Sequence, residues 1–261
     1  MPETGSGASP AFIISRVPFR DNDLILGLMT RGDGPVSVIA RSARNSRRRF
    51  FGVLDFFIVL DVVRSPGRGG LDVLVGAEPL RFFPGIHESL ERLQAGQSIL
   101  QAVRNVSRDA PFGPGMFDRL VESFGELEKA PSAAAHMILL ETVFALSGEL
   151  GHAPVDGKCP LCGLAKTAFS INGDGIFACR ECCRPTGGCV CQVSFGQSLD
   201  AGLYERPVFT MAGGDPPGPA DVSMIVEAVV AGITGHHSPG GGPDGDQPDE
   251  DKGQHRQGQH W

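Results

Sequence analysis

All seven cysteines of this 261-residue chain fall between Cys159 and Cys191. Clustering of this kind excludes a disulfide framework that staples a whole chain, and in a cytosolic protein it favours a metal over cystine. The order is Cys159-Pro-Leu-Cys162-Gly163, then, after sixteen residues that begin with Gly163, Cys179-Arg-Glu-Cys182. Two residues between cysteines let both thiolates converge on one ion while backbone amides hydrogen-bond back to the sulfurs, and two such knuckles complete a tetrahedral shell. Gly163 stands where the first knuckle needs a tight turn. Between the pairs, Phe169-Ser170-Ile171 and Ile176-Phe177-Ala178 read as strands around Asn172-Gly173-Asp174-Gly175, a hairpin signal that brings the knuckles together. This is the spacing of a zinc ribbon, with Cys159, Cys162, Cys179 and Cys182 as ligands of a structural Zn2+. A thioredoxin-like redox pair needs a βαβ setting that is absent around either CxxC, and a catalytic zinc keeps one position open, often with His, Asp or Glu among its ligands. Cys183 in place of Cys182, in a CxxxC register, is an alternative that spacing leaves open. Cys189 and Cys191 are bystanders or oxidation-prone thiols.

The charge is unevenly spread. Residues 1–81 hold 11 Arg, no Lys and 8 acidic residues, so a chain of net charge −7 has a front of +3 and a remainder of −10. Within the front, Arg41, Arg44, Arg47, Arg48 and Arg49 place five guanidinium groups in nine residues with no acid among them. Guanidinium grips phosphate bidentately and stacks on bases, whereas a merely solubilising face mixes lysine with glutamate. Nucleic acid is one partner for such a loop, with Arg16, Arg20 and Arg31 on neighbouring strands as further contacts. The other reading is a solvated loop whose arginines meet carboxylates elsewhere in the fold. Phe50 and Phe51 beside the arginines are core residues of a small barrel or, less simply, stacking platforms for bases.

From Ala11 to Glu78 short apolar segments (11–15, 24–30, 36–40, 51–63 and 71–76) alternate with the turn clusters Asp21-Asn22-Asp23, Arg31-Gly32-Asp33-Gly34-Pro35 and Ser65-Pro66-Gly67-Arg68-Gly69-Gly70. Five short strands with a basic loop suit an OB-fold, although periodicity does not distinguish it from another small all-β module. Beyond Pro84 the period changes. Leu90, Leu93, Ile99, Leu100, Val103 and Val106 mark one helix, and Phe117, Leu120, Val121, Phe124 and Leu127 mark a second. Ala133 to Leu150 is apolar on more than one side, as in a helix at the centre of a bundle, and Gly151 reads as its stop. After Cys191 only Pro219 to Thr234 predicts a helix. From Ser238 the Gly, Pro, Asp, Gln and His-rich composition cannot form a core and reads as disordered; of the histidines after the last helix, His236, His237, His255 and His260 are weak metal binders or plain linker.

The expected class is therefore α+β and multidomain: a flexible 1–10, an OB-like barrel over 11–82, a helical domain over 83–234 with an inserted zinc ribbon at 157–186, and a disordered tail over 235–261. No apolar run of about 18 residues and no basic, then apolar, N-terminal leader is present, so a soluble cytoplasmic protein without a membrane partner is expected.

This order resembles the RecO family of bacterial recombination mediators. The resemblance rests on Ile13-Ile14-Ser15-Arg16, Asp21 to Leu26 and Thr30 to Gly34 for the first two strands and their turns. Ala40 to Arg44 with Arg47 to Phe50 resembles the basic loop, and Met116 to Leu120 a bundle helix. Leu150 to Pro154 leading into Cys159 to Gly163, with Phe169-Ser170 and Cys179 to Cys182, resembles the two sides of the zinc site. The match runs over about 11–186. The C-terminal quarter departs from it: family members usually return to the bundle with further helices, and here 220–234 alone looks like a remnant. The resemblance implies a protein that is not an enzyme, is nucleoid-associated, binds single- and double-stranded DNA, anneals complementary strands, and with RecR helps RecA load onto DNA covered by single-stranded-DNA-binding protein. Part of the family's helical domain holds the C-terminal tail of single-stranded-DNA-binding protein, and the reduced C-terminal helices bear on that partner.

The residues point the same way: the chain holds no GxxxxGK[ST], no HExxH and no Ser, His and Asp arrangement that argues for hydrolysis or nucleotide turnover. The alternative is an interaction module whose zinc ribbon docks on a partner and whose basic loop contacts RNA or an acidic surface without annealing. A metal-dependent redox enzyme is a third reading.

Overall fold

The structure is a computed structural model; it describes residues 9–67, 71–107, 113–154, 156–183, 189–194, 207–211 and 214–235. Of the expected flexible residues 1–10, Ser9 and Pro10 begin the first strand; residues 1–8, the turn residues 68–70, the end of the ribbon at 184–186 and the tail from 236 onward lie outside the described residues.

Five strands, β1 (Ser9–Phe19), β2 (Asp23–Thr30), β3 (Gly34–Ala40), β4 (Ile58–Ser65) and β5 (Asp72–Phe82), close into a barrel of order β1-β2-β3-β5-β4, with β4 returning to β1. All pairings are antiparallel except β3 with β5, and this is an OB-like barrel. Ala11, Ile13, Leu26, Leu28, Val38, Leu60, Val62 and Leu74 fill its interior. The run Ala11-Phe12-Ile13-Ile14 is apolar without alternation because β1 is covered on both faces. Ala11 and Ile13 point into the barrel, while Phe12 and Ile14 belong to the core shared with the helices. A register shift between Ile13 and Ser15 bends β1 there, and Ser15 Oγ accepts from Gly27 N at 3.1 Å.

One expected strand is shorter than its apolar run. Residues 51–57 are turns and bends, and β4 begins only at Ile58. Gly52 (φ 69°) and Phe57 (φ 59°) take left-handed backbone, which folds the segment so that Leu54 and Phe57 are buried. β5 in turn runs six residues past the expected end, as an exposed edge through Leu80 and Phe82.

The helices are α1 (Leu90–Val106), α2 (Pro114–Lys129), α3 (Ala135–Glu149), a one-turn α4 (Arg180–Cys183) and α5 (Pro219–Thr234). α1 starts at Ser89, whose Oγ accepts from Arg92 N at 3.3 Å. α3 ends at Gly151 in left-handed backbone (φ 78°). α3 is buried on several sides and packs against α1, α2 and α5, which explains its lack of a polar face.

Barrel and helices join through phenylalanines packed edge-to-face and tilted against one another. Phe124 of α2 lies 5.3 Å from Phe12, 5.4 Å from Phe57 and 5.9 Å from Phe83 between ring centroids, and Phe117 lies 5.2 Å from Phe12. Outside this junction, Arg31 after β2 pairs with Asp118 of α2 at 2.8 Å. Arg92 of α1 donates to the carbonyls of Gly85 and Glu128 at 2.9 and 3.0 Å.

A second sheet of order β7-β6-β8-β9 is formed by β6 (Ala168–Asn172), β7 (Phe177–Ala178), β8 (Cys189–Ser194) and β9 (Val208–Met211). Its Ile171, Phe177, Val193 and Phe209 share one core with Phe144, Val222 and Ile225 of the helices. The insertion is thus built into the helical layer. α5 completes the layer by lying against the turn after β6: a Cβ on Gly175 would collide with Ala228 carbonyl, and one on Gly232 would stand 2.6 Å from Asp174 O.

Truncating Phe124 to Ala removes contacts with three phenylalanines at once, and a loss of about 3–5 kcal/mol is expected, read as a lower urea midpoint. A midpoint within error of the parent would show that the ring cluster is not what joins the two parts.

Candidate metal centre and nucleic-acid interface

The first knuckle is a tight loop closed by an antiparallel bridge between Lys158 and Ala165. Cys159 N donates to Leu164 O at 2.9 Å and Gly163 N to Cys159 O at 2.8 Å, with Gly163 at φ 72° as its place after the pair requires. The second knuckle caps α4: Cys182 N and Cys183 N both donate to Cys179 O, at 3.0 and 2.9 Å. The hairpin between them turns on buried Asn172, whose Oδ1 accepts from Asp174 N at 3.1 Å and Ile176 N at 2.9 Å.

The result brings the sulfurs of Cys159, Cys162, Cys179 and Cys182 within 4.8 Å of one another. Cys159 and Cys179 are buried, Cys182 half-buried and Cys162 exposed. Cys162 Sγ and Cys179 Sγ lie 3.8 Å apart, and Cys179 N donates to Cys159 Sγ at 3.3 Å, an amide-to-sulfur bond of the kind metal knuckles use. Electrostatics make the cluster a receptor for a cation. Burial pushes the Cys159 thiol up, but amides of Cys179, Cys162 and Leu161 together outweigh it and bring the group to about 6. Cys182 is pushed up to about 12, first by the hydrogen bond to Cys179 and then by that to Cys162. Sulfurs this close do not ionise together unless positive charge stands among them, and four thiolates with no open position suit a closed tetrahedral ion. Lys166, 3.3 Å from Glu181, supplies one outer positive charge.

Cys182 and not Cys183 completes the cluster. Cys183 is buried on the other side of α4, with its sulfur 3.3 Å from that of Cys189. Burial pushes the Cys191 thiol, on β8, up to about 11, which leaves it a poor nucleophile. Cys189 and Cys191 thus lie on a strand that the sequence did not suggest, because β8 and β9 are short and separated by a long connection.

The arginines fall into two groups. The loop after β3 is tied to the β1–β2 turn: Ser42 N donates to Asp23 Oδ1 at 2.8 Å, Arg44 N to Asn22 O at 3.0 Å and Arg44 Nη1 to Asp21 O at 3.1 Å. Arg20 sits in that same turn, left-handed at φ 52°, so Arg20, Arg41, Arg44, Arg47, Arg48 and Arg49 occupy one end of the barrel, all exposed. Arg49 also donates to Arg41 O at 2.6 Å and lies 4.4 Å over the ring of buried Phe50, which anchors the loop. Among the described residues, none of the five loop arginines has a carboxylate within ion-pair distance. Arg31 is not brought to this group. It stands at the opposite end of β2, paired with Asp118, while Arg16 reaches Leu54 O at 3.0 Å and Asp55 at 3.6 Å.

Phe51 departs from the expectation of a core residue: it is 74% exposed. The neighbouring Gly52, with its left-handed backbone, was the one signal that the chain turns there and throws the ring outward.

A closed OB-like barrel with an exposed arginine loop, followed by helices and a four-cysteine cluster able to hold a metal ion, defines a class of multidomain barrel-and-ribbon proteins by its parts and their order. Comparison narrows the class. Residues 7–83 match the family model described as Recombination protein O N terminal. The chain is 30% identical over 203 residues to the DNA repair protein RecO of Rhodopirellula baltica, covering 73% of this chain and 72% of that one. It is 30% identical over 194 residues to that of Pelobacter propionicus (72% and 76%), and 31% identical over 173 residues to that of Gloeobacter violaceus (65% and 66%). The chain belongs to the RecO family of DNA repair and recombination proteins. Among the described residues no helix is long and apolar enough to cross a membrane.

If the four sulfurs act as one site, Cys159→Ser and Cys179→Ser each lose bound metal, whereas Cys183→Ser retains it, as measured by elemental analysis of the purified proteins. Metal retained in the first two, or lost in the third, would reassign the ligand set.

Proposed function

We propose that this protein is a recombination mediator without a reaction centre of its own. It binds single- and double-stranded DNA irrespective of sequence, anneals complementary strands and, with RecR, helps RecA load onto DNA covered by single-stranded-DNA-binding protein. The observation that carries the reading is the arginine loop: Arg41, Arg44, Arg47, Arg48 and Arg49 are exposed at one end of the barrel with no carboxylate paired to them among the described residues. Charges intended for internal ion pairs would face acids, as Arg64 does with Asp33 and Asp72. Unpaired guanidinium groups neutralise phosphates and release counterions, a contact that carries no sequence code and suits a protein that must act on any DNA.

The metal in this reading is zinc, held by Cys159, Cys162, Cys179 and Cys182 and closed to substrate. It contributes folding energy to the second sheet and takes no part in a reaction. The acidic remainder of the chain confines DNA to the arginine end, since a polyanion is repelled elsewhere. A cytoplasmic, nucleoid-associated location follows from such binding. Contact with single-stranded-DNA-binding protein would fall to the helical layer, where α5 packs against α1 and α3.

The test is the salt dependence of DNA binding, followed by fluorescence anisotropy. Replacing Arg47, Arg48 and Arg49 by Ala should weaken binding about equally for every sequence and lower the slope of log K against log salt by about three, roughly one per phosphate contact removed. An unchanged slope would move the DNA contact away from this loop.

A further inference from the structure

Beside the arginine loop, the outer face of β4 and β5 carries a groove of about 580 Å³. Phe51 and Arg48 with Arg49 form its sides, and Asp61, Gly76 and Glu78 lie along its strands. Three of its features are costly for a barrel that does nothing there. Phe51 presents its ring to solvent. Asp61 and Glu78 stand directly opposite each other in the β4–β5 register, a like-charge cross-strand pair that destabilises a sheet, and neither has an ion-pair partner among the described residues. Gly76 leaves the strand bare, and a Cβ built on it meets nothing within 4 Å, so packing does not demand the glycine. Gly76 sits at the register shift of the β4–β5 ladder, and there, over open space, it leaves room for a ligand to approach the backbone.

Resting on the DNA-binding reading above, we infer that this groove is a subsite for one unpaired guanine base of a single strand. The division of charge determines which part of the nucleotide enters. Arg48 and Arg49 at the side hold phosphates, whereas a phosphate inside the groove would meet Asp61 and Glu78 and be repelled. A base enters instead and stacks on Phe51, as bases do on exposed aromatic rings in single-strand-binding proteins. The carboxylates accept hydrogen bonds from base N–H groups. Guanine offers two adjacent donors, N1–H and the 2-amino group, which match the two oxygens of one carboxylate; thymine offers one, flanked by carbonyls that a carboxylate repels. A paired base has its donors engaged in the duplex and its faces covered, so the subsite distinguishes single strands from duplex, a distinction that phosphate contacts alone do not make.

The experiment uses the full chain and labelled oligothymidine, the same strand with one central dG, and a duplex of equal length, each followed by anisotropy. Wild type should bind the dG strand several-fold tighter than oligothymidine, a local preference added to arginine–phosphate contacts that are themselves blind to sequence. In Phe51→Ala and in Gly76→Val, which adds apolar bulk to the groove floor, the ratio of single-strand to duplex affinity should fall about fivefold or more. In Asp61→Asn with Glu78→Gln the preference for dG should disappear. Unaltered ratios in both Phe51→Ala and Gly76→Val, with duplex and single strand both weakened by Arg47, Arg48 and Arg49 to Ala, would overturn the subsite and leave the DNA-binding reading standing. Failure of the wild type to bind any of the three probes would overturn that reading and the subsite with it.

Discussion

The structure depends on a small set of phenylalanine rings. Phe12 on β1, Phe57 before β4, Phe83 after β5 and Phe124 on α2 meet between the barrel and the helices, each at most 2% exposed. Barrels of five strands have little interior, and this one gains stability by burying the outer faces of β1 and the start of β4 against α2 and α1. The same rings fix what remains free. With those faces covered, the end of the barrel that holds the β1–β2 turn, the arginine loop and the outer face of β4 and β5 are the surfaces left for a partner.

A second constraint is electrostatic and acts at the other end of the chain. Four sulfurs within 4.8 Å oppose one another's ionisation, so all four become thiolates together only with positive charge between them. Because the sheet that carries them shares its core with α3 and α5, ion binding at the sulfurs is linked to the packing of the helical layer. Arginine charge in front and thiolate charge behind therefore do opposite work. The first is exposed with no carboxylate paired to it among the described residues, and the second is gathered around a point able to hold a cation.

Much of this was legible from local signals. The strand and turn pattern over 11–40, the spans of α1, α2 and α5 and the CxxC knuckles with their Asn172 hairpin all follow from periodicity or from residues with one conformational use. What was not legible came from tertiary context. The apolar run 51–63 reads as one strand, yet Gly52 and Phe57 break it, because burying Leu54 and Phe57 on different sides needs a turn. Phe51 reads as core and is exposed for the same reason. β8 and β9 lie in the weakly patterned stretch after the second knuckle, and pairing makes them strands, β8 with β6 and β9 with β8. The arginines formed one candidate set in the sequence. The fold separates Arg31, at the far end of β2 beside Asp118, from the six that share a surface, since distance along a strand becomes distance across the barrel. The choice of Cys182 over Cys183 was likewise made by the turn of α4, which points neighbouring side chains in different directions.

The central claim is that a barrel with an unpaired arginine end acts on DNA strands as such, bringing complements together. Strand annealing tests this most directly, with two complementary labelled oligonucleotides and the full, metal-loaded chain, followed by energy transfer at low and moderate salt. Pairing accelerated well above the protein-free rate, falling as salt rises, is the result the structure leads us to expect. A folded, metal-loaded protein that binds either strand without accelerating their pairing would contradict it and favour a module that docks rather than mediates.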